Sequence, residues 1–581
     1  MDPNYIAFAQ AYSARTNVVY VGANDGMLHG FDAGQGTPAK PGTGNELMAY
    51  VPRGLLGGLH TNTFANAHYA HRYWVDGSPF SGDAQTAAPN AANAANPGSW
   101  ATVLVGTLGA GGPGYFVLDV TDPSVFAESS FANSVLIDAT DTNPATSPVA
   151  GQLSVIGNQF SPPVMAMYTA SQSAQIIKIN SQDPNGEWGV IMGNGYNSAS
   201  GLPVLLIQSL SHPGRPLYTV PAICTEAASA CVAAGNGLGA PRPIDVDGNG
   251  TADIVYAGDL LGNLWKFDIS NPDHAQWRVA YADGNGQPAP LFTATGPTGA
   301  PQPITSAPAV TSDPNGGFMV VFGTGMNLTD ADTTDTRLNT VYALYDNQTM
   351  TVNLAARLPG ADTTVSQVVL GSANATDQTS ASASPIPAGC LNGTGAGRYG
   401  CLYQQTGGAL DAANANGVSV GVSSDLTREQ IDDQHYFGWY YDIPDIANGN
   451  AAKVLANPVM MSDNTLMFYS QNVASSSAGT SGSTALTPTG ATESCSPVAL
   501  NSAVTTVNFF DLFTGNYPDN TITVNSAEYT AGKGNRFQIN GASRFISDGA
   551  DALSATGANA TITSQPTAAP AGRRVGWRIG R

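Results

Sequence analysis

The sequence predicts an all-β protein, a modified β-propeller of about seven blades with long inserted loops. One pattern recurs along the chain: an apolar run rich in Val, Ile, Tyr and Phe, a Gly-rich turn, and a second apolar run that often ends in Asp. Such residues favour strands, and Asn-Asp-Gly or Gly-Asn turns favour hairpins. The copies start roughly 65 to 90 residues apart, a spacing that fits propeller blades carrying inserted loops.

The clearest copies are "VVYVGANDGMLHGFDA" from Val18, "TVLVGTLGAGGPGYFVLDVTD" from Thr102, "DIVYAGDLLGNLWKFDIS" from Asp253, and "MVVFGTG" from Met319 with "NTVYALYDN". Weaker copies begin at Gly189 and in "TLMFYSQN", whose expected partner is "TVNFFDLFTG" from Thr506. A stacked β-solenoid would have a shorter and more regular period. We therefore expect each copy to form a β-hairpin within a blade.

Composition suggests the domain organisation. Residues 16–550 hold the repeats and are predicted to form the propeller domain. Residues 1–15 are predicted to be a leader segment that joins a missing N-terminal region, and residues 551–581 a low-complexity tail with a basic end, "GRRVGWRIGR". Other Ser- and Thr-rich stretches, such as "SSSAGTSGSTALTPTGATES", carry too little apolar surface to order themselves.

Charge limits the possible partners. The chain of 581 residues has 42 acidic and 21 basic residues, a formal net charge of −21. This balance argues against nucleic acid and anionic lipid, which need clustered Lys and Arg, and favours divalent cations. No apolar run approaches the roughly 18 residues of a membrane span. The opening "MDPNYIAFAQ" lacks the features of a signal peptide, yet the composition is common in bacterial secreted proteins, so we expect a segment of a longer exported precursor.

The five cysteines are compatible with an oxidising compartment. We predict that Cys224 pairs with Cys231 and that Cys390 pairs with Cys401, which leaves Cys495 over. Five unpaired thiols remain the alternative, because spacing alone does not determine connectivity.

The segment "DVDGNGTAD" predicts a calcium site. Asp245, Asp247 and Asn249 occupy positions 1, 3 and 5 of a calcium loop, and the Thr251 carbonyl stands at position 7. An EF-hand would place Glu at position 12, where this chain has Tyr256. The next carboxylate is instead Asp253, at position 9, as in the short calcium loops of integrin-type propeller blades, which this segment resembles. An acidic hairpin turn without an ion is the alternative interpretation.

Other polar clusters receive structural interpretations. Asp330, Asp332 and Asp335 in "DADTTD" are expected to form a solvated loop, and Asp76 and Asp83 a turn between strands. His68 and His71 are expected to pack rather than bind metal. The chain has no GxSxG, HExxH or phosphate-loop motif, so we expect a protein that is not an enzyme.

A family resemblance adds to these expectations. The segments "VVYVGANDGMLHGFDA", "ELMAYVP", "HRYWVDGSP", "WATVLVGTLGAGGPGYFVLDVTDP" and "DVDGNGTADIVYAGDLLGNLWKFDIS" occur in the order seen in the C-terminal propeller domain of the PilY/PilC family of type IV pilus tip-associated biogenesis factors and adhesins. The resemblance runs from about residue 16 to beyond 515 and is loose after about 370.

The resemblance implies an exported protein at the cell surface, outer membrane or pilus tip, with minor pilins or other pilus tip proteins as partners and a host or surface ligand. It implies a role in pilus assembly against retraction, in twitching motility and in adhesion. It also implies that Ca²⁺ bound by Asp245, Asp247, Asn249, the Thr251 carbonyl and Asp253 controls this activity.

Two other functions stay open from the sequence. "VYVGANDGMLHGFDA" alone also resembles the repeat of quinoprotein dehydrogenases, which would bind a quinone and Ca²⁺ at the propeller axis, but no two cysteines are adjacent as such enzymes often require. A sugar-binding propeller would stack sugar rings on exposed Trp and Tyr, which the sequence does not identify.

Overall fold

The computed structural model describes most of the chain up to residue 346 and shorter segments beyond it. The described residues are 2–37, 40–61, 72–86, 99–143, 147–160, 164, 172–222, 235–282, 288–313, 317–329, 331–332, 335–346, 402–405, 418–419, 438–443, 452–460, 464–472, 504–515, 521–524, 527–530, 536–540, 545–547, 553–555, 562–564 and 579–580. All five cysteines, His68, His71 and Asp330 lie outside these ranges, and so do the predictions made for them.

Strands dominate the described residues. In chain order they are β1 Val18–Gly22, β2 Leu28–Asp32, β3 Gly34–Thr37, β4 Lys40–Pro41, β5 Glu46–Tyr50, β6 Phe80–Gln85, β7 Trp100–Thr107, β8 Tyr115–Asp119, β9 Val135–Asp138, β10 Ile176–Ile179, β11 Glu187–Gly193, β12 Val204–Ser209, β13 Tyr218–Pro221, β14 Arg242–Ile244, β15 Thr251–Ala252, β16 Ile254–Gly258, β17 Asn263–Asp268, β18 Arg278–Val279, β19 Tyr281–Ala282, β20 Pro288–Ala289, β21 Phe292–Thr293, β22 Ala309–Ser312, β23 Phe318–Gly323, β24 Thr340–Asp346, β25 Tyr403–Gln405, β26 Val418–Ser419, β27 Gly438–Asp442, β28 Val459–Met460, β29 Thr465–Asn472, β30 Val504–Asp511, β31 Thr521–Val524, β32 Ala527–Thr530, β33 Arg536–Asn540, β34 Phe545–Ser547, β35 Leu553–Ala555, β36 Ile562–Ser564 and β37 Ile579–Gly580.

Helices are few. The α-helices are α1 Pro3–Ala11 and α2 Leu56–Thr61, and short 3₁₀ turns cover Arg53–Leu55, Gly109–Gly111, Pro123–Val125, Phe131–Ser134, Ala150–Val155 and His274–Gln276. Among the residues that the structure describes, no helix is both long enough and apolar enough to cross a bilayer.

The strands form six sheets of four or five strands, together with smaller two- and three-stranded sheets. In spatial order, sheet 1 is β37-β1-β2-β5, sheet 2 is β6-β7-β8-β9, sheet 3 is β13-β12-β11-β10-β15, sheet 4 is β14-β16-β17-β18 with β21, sheet 5 is β22-β23-β24-β27-β25 and sheet 6 is β26-β33-β30-β29-β28. The prediction of an all-β protein is confirmed.

The hairpins expected from the repeats are present. Strands β1 and β2 pair antiparallel from Val18↔Asp32 to Gly22↔Leu28, and the same antiparallel pairing joins β7 to β8, β16 to β17 and β23 to β24. The weaker copies also pair, β11 with β12 and β29 with β30. The repeat was therefore a correct guide to hairpins along the described chain.

Consecutive sheets pack face to face through apolar residues. Strand β7 shows how: Val103 and Val105 lie in the core shared with sheet 3, whereas Leu104 lies in the core shared with sheet 1. Strand β16 does the same, because Val255 contributes to the core with sheet 3 and Tyr256 to the core with sheet 5. Side chains of a strand alternate between its two faces, so a continuous apolar run covers both. This packing explains why the runs show no alternation of polar residues.

Helix α1 packs against sheet 2. Its N-cap residue Asp2 accepts a hydrogen bond from the Asn4 amide at 2.9 Å and one from Trp100 Nε1 at 3.1 Å. The Tyr5 ring lies 4.6 Å from the Trp100 ring, and Phe8 is buried. Part of the predicted leader segment is thus a helix in contact with the propeller strands.

A fully buried polar network lies between sheets 4 and 5. Lys266 Nζ donates to Asp346 Oδ2 at 2.8 Å, and the two side chains are 1% and 0% exposed. Tyr256 donates to the same oxygen at 2.6 Å, and Tyr281 donates to Asp346 Oδ1. The Lys266 ammonium and the Asp346 carboxylate therefore neutralise each other, and hydrogen bonds from the two tyrosines replace water around the carboxylate.

Loss of Lys266 should leave this network unbalanced. We expect Lys266→Met to lower the free energy of unfolding by about 3–5 kcal/mol, because the Asp346 carboxylate then stays buried without its cation. Thermal unfolding of the purified chain measures the change. Lys40→Met, at an exposed position, is the control and should stay within about 0.5 kcal/mol of the native chain. Equal unfolding temperatures for the two variants would contradict the expectation.

Candidate metal centre

The acidic loop joins two paired strands of sheet 4. Strands β14 and β16 are antiparallel, with Ile244 opposite Ile254, so Asp245 and Asp253 occupy adjacent positions just beyond the last pair. The Asp253 amide donates to the Ile244 carbonyl at 2.9 Å, which continues the pairing to the loop. The strand register therefore brings the first and last residues of the loop together.

Three carboxylates converge in this loop. One oxygen each from Asp245, Asp247 and Asp253 lies within 4.8 Å of the other two, a grouping that could hold a metal ion. Asp253 is fully buried, Asp245 is half-buried and Asp247 is exposed. Ionised carboxylates this close repel one another, and a bound cation offsets the repulsion. A donor set of oxygens alone suits a hard cation.

Backbone amides of the loop hold the Asp245 carboxylate in place. Its Oδ1 accepts from the amides of Gly248 at 2.8 Å and Asn249 at 3.2 Å, and its Oδ2 accepts from the Gly250 amide at 2.6 Å. Gly248 and Gly250 have φ angles of +76° and +86°, the left-handed region that other residues rarely adopt. These glycines let the chain turn around the carboxylate.

Asn249 and Thr251 complete the predicted ligand set. Asn249 Oδ1 accepts from the Thr251 amide at 2.8 Å, and its Nδ2 donates to Asp247 Oδ2 at 3.2 Å. Both residues thus lie in the loop beside the carboxylates. Their ligation of an ion, through Asn249 Oδ1 and the Thr251 carbonyl, stays a prediction.

The loop also contacts the neighbouring sheet. Strand β15, Thr251–Ala252, pairs in parallel with β10 of sheet 3, with Thr251 opposite Lys178 and Ala252 opposite Ile179. Below it, apolar residues of the two sheets form one core, which includes Ile179, Ala252 and Val255. The acidic loop is therefore part of the junction between sheets 3 and 4.

Asn180 is a structural contact of the loop that the sequence did not indicate. Its Nδ2 lies 3.2 Å from Asp253 Oδ1, 2.9 Å from the Ala252 carbonyl and 3.2 Å from the Ile269 carbonyl. Asp253 Oδ2 accepts from the Val246 amide at 2.9 Å. Asn180 follows β10 and comes more than seventy residues before Asp253, so no local motif links the two.

Two interpretations of other acidic residues are corrected. Asp332 is buried rather than solvated, because its carboxylate accepts from the amides of Leu328 and Thr329, both at 2.8 Å. Asp335 forms an ion pair with Arg337 at 2.6 Å.

Asp83 lies within strand β6 rather than in a turn and accepts hydrogen bonds from Thr102 at 2.6 Å and Tyr5 at 3.0 Å. Asp76 precedes that strand, and its carboxylate accepts from the Ala110 amide at 3.3 Å.

Comparisons with known proteins agree on one family. The family model of the PilY1 beta-propeller domain matches residues 1–382. A type IV pilus biogenesis factor PilY1 homolog of Xylella fastidiosa is 36% identical over 349 residues, covering 59% of this chain and 20% of that protein. The type IV pilus biogenesis factor PilY1 of Pseudomonas aeruginosa is 36% identical over 370 residues, covering 60% of this chain and 26% of that protein.

A solved structure shares the fold. The crystal structure of the Pseudomonas aeruginosa PilY1 C-terminal domain superposes with a TM-score of 0.58 at 24% sequence identity, covering 97% of this chain and 96% of that chain. The matched part spans about a fifth to a quarter of the length of the curated relatives.

Removing the Asn180 side chain should loosen the junction. The two N–H bonds of Asn180 Nδ2 are shared among three buried acceptors. A buried acceptor left unsatisfied costs about 1–3 kcal/mol, so we expect Asn180→Ala to lower the free energy of unfolding by at least about 1 kcal/mol. Thermal unfolding tests this. Asn185→Ala, at an exposed position five residues away, should change stability by no more than about 0.5 kcal/mol. A stable Asn180→Ala protein would argue against a structural role for these bonds.

Proposed function

Because the chain belongs to the PilY1 β-propeller family, we propose that it is a calcium-binding type IV pilus biogenesis and adhesion factor. In this role it promotes pilus assembly by opposing retraction and supports twitching motility and surface attachment. The relatives are named as pilus biogenesis factors and not as enzymes, which agrees with a protein that is not an enzyme. The relatives that carry this name are much longer than the part that matches this chain, so the role is proposed for this chain from their names.

The observation that carries the proposal is the convergence of Asp245, Asp247 and Asp253 at the junction of sheets 3 and 4. Ca²⁺ takes six to eight oxygen ligands in flexible geometry, which a loop of carboxylate, amide and carbonyl oxygens supplies. Zn²⁺ prefers His and Cys, and Mg²⁺ demands a more regular octahedron. Ca²⁺ therefore fits the loop better than the other common cations.

Binding of Ca²⁺ would act on the junction between the two sheets. The ion would neutralise the three carboxylates, and so favour the turn that places Thr251–Ala252 beside β10. Without the ion, repulsion among the carboxylates opposes the same turn. Calcium would thus stiffen one edge of the propeller, and an exposed edge of this kind is suited to contact with pilus proteins.

The proposed setting follows from this role. We place the protein outside the cell, at the cell surface, outer membrane or pilus tip, where calcium is abundant. Its partners would be minor pilins or other pilus tip proteins, together with a host or surface ligand. The formal charge of −21 does not suit nucleic acid as a partner.

Asp247 offers a sharp test of calcium binding, because it is exposed and its hydrogen bonds in the loop come from Asn249. We expect Asp247→Asn to weaken Ca²⁺ binding by about tenfold or more, since it removes one charged ligand and keeps the shape of the side chain. Titration calorimetry on the calcium-stripped protein measures the affinity. Glu128→Gln removes the same charge at an exposed position outside the loop and should bind as the native chain does. Absence of binding in the native chain, or equal affinity in both variants, would refute the site.

The pilus role needs a separate measurement in cells. We expect bacteria that carry Asp247→Asn in the full-length protein to show fewer surface pili and smaller twitching zones than bacteria that carry Glu128→Gln. Immunoblotting checks that the two variants reach equal levels. If calorimetry shows that Asp247→Asn has lost calcium while piliation and twitching stay normal, calcium control of assembly is wrong.

A further inference from the structure

A polar pocket of about 490 Å³ lies at the junction of sheets 3 and 4, the junction to which the metal loop also belongs. Three connections form it: residues 181–185 between β10 and β11, Arg215 between β12 and β13, and residues 272–274 between β17 and β18. The volume falls within the range of about 300–1,000 Å³ typical of small-ligand sites. No sequence motif marks it, because the connections are far apart in the chain.

A buried carboxylate, Glu187, fixes two residues of the pocket lining, Ser181 and Arg215. Glu187 is fully buried and accepts hydrogen bonds from Ser181 Oγ at 2.7 Å, Arg215 Nη1 at 3.4 Å and the Tyr218 hydroxyl at 3.4 Å. The buried Glu187 carboxylate therefore fixes the guanidinium of Arg215 through its Nη1 atom. The Arg215 side chain is 45% exposed and borders the pocket.

The rim supplies acceptors that are already oriented. Asp183 accepts from the Asn185 amide at 2.9 Å and pairs with His212 Nε2 at 2.8 Å. The first of these contacts is the main reason that the pKa of Asp183 lies below its usual value, so its carboxylate stays ionised. Asp273 is exposed and is held by a hydrogen bond from the Ala275 amide at 3.1 Å. Both carboxylates keep oxygen lone pairs for a ligand.

His274 forms one wall and is also fixed. Its Nε2 lies 2.8 Å from the Asn180 carbonyl oxygen and so donates to it, and its ring lies 4.1 Å from Tyr218 and 4.4 Å from Trp277. Burial lowers the pKa of His274, which keeps the imidazole neutral. The neutral ring then presents Nδ1 as an acceptor.

The charges of the pocket select among ligand classes. An anion would be attracted by Arg215 but repelled by Asp183, Asp273 and the buried Glu187. A cation would be attracted by these carboxylates but repelled by Arg215. A neutral molecule with many hydroxyl groups uses both kinds of group, because each hydroxyl donates to a carboxylate and accepts from a guanidinium or amide. The rings of Pro184 and Pro272, which also line the pocket, offer apolar surface to C–H groups.

We infer that this pocket binds a neutral saccharide, with Asp183, Asn185, Arg215 and Asp273 as its hydrogen-bonding residues. The ligand would be a sugar unit of a glycan on the surface to which the protein attaches. The inference deepens the attachment part of the proposed function and rests on it for its biological setting, whereas sugar binding itself is a property of the isolated chain.

Asn185 and Asp183 are the residues to change. Saturation-transfer difference NMR on the purified, calcium-loaded chain uses glucose, galactose, mannose and N-acetylglucosamine as probes, with anionic N-acetylneuraminate for comparison. We expect at least one neutral sugar to bind. Asn185→Ala and Asp183→Asn should each weaken that binding about tenfold, since each removes or weakens a hydrogen bond to the sugar.

Asn45→Ala, at an exposed position next to β5 of sheet 1, is the matched control and should bind sugar as the native chain does. Absence of binding by all four neutral sugars overturns the inference, and so does binding that both pocket variants retain. Binding of N-acetylneuraminate alone overturns the neutral class. Calorimetry with Ca²⁺ on the same samples separates these results from the calcium proposal, because a chain that binds calcium and no sugar refutes the pocket alone.

Discussion

Burial of both faces of sheets 2 to 5 is the constraint on which the rest of the structure depends. A strand such as β7 or β16 sends alternate side chains into two different cores, so neither face can carry charge without a partner. A charged side chain that is buried between two sheets therefore needs partners, as Lys266 and Asp346 show. Functional polar groups must then lie where connections between strands meet, which is where the acidic loop and the polar pocket are found.

The junction of sheets 3 and 4 concentrates this chemistry. Two features distinguish it: β15, which lies between β14 and β16 of sheet 4 in the chain, pairs with β10 of sheet 3, and Asn180 donates to the loop that carries the carboxylates. Below both features lies an apolar core shared by the two sheets. The junction thus has a packed apolar core in its interior and the carboxylates of the acidic loop at its edge. An ion at that edge would alter the loop without disturbing the core.

The sequence predicted the parts of this arrangement that are local. Apolar runs joined by Gly-rich turns identified the hairpins, because strand and turn preferences act over a few residues. The spacing of Asp245, Asp247 and Asp253 predicted a cluster within one loop, and the register of β14 and β16 brings it together. The long insertions, by contrast, blurred the repeat, so the number of blades could not be read from it.

Contacts between distant segments were beyond the sequence. Asn180 resembles any polar residue after a strand, and only the packing of sheet 3 on sheet 4 brings it to Asp253. Asp83 was misinterpreted for the same reason, because its partner Tyr5 is far from it in the chain. Asp332 was misinterpreted for a local reason: the amides of Leu328 and Thr329 hold its carboxylate within the turn. The residues that line the pocket come from three connections, so no spacing rule could group them.

Asn180 also connects the two proposed sites. Its side chain donates to Asp253 of the metal loop, and its carbonyl accepts from His274 of the pocket wall. An ion that holds the Asp253 carboxylate would also hold the side-chain amide of Asn180, which donates to that carboxylate. The backbone carbonyl of the same Asn180 accepts from His274, so the position of Asn180 affects the orientation of the His274 ring. Coupling between binding sites is reciprocal, so under the two proposals any effect of calcium on saccharide affinity would be matched by an equal effect of the saccharide on calcium affinity. Asn180 is the residue through which such coupling would pass, because it contacts both the metal loop and the pocket wall.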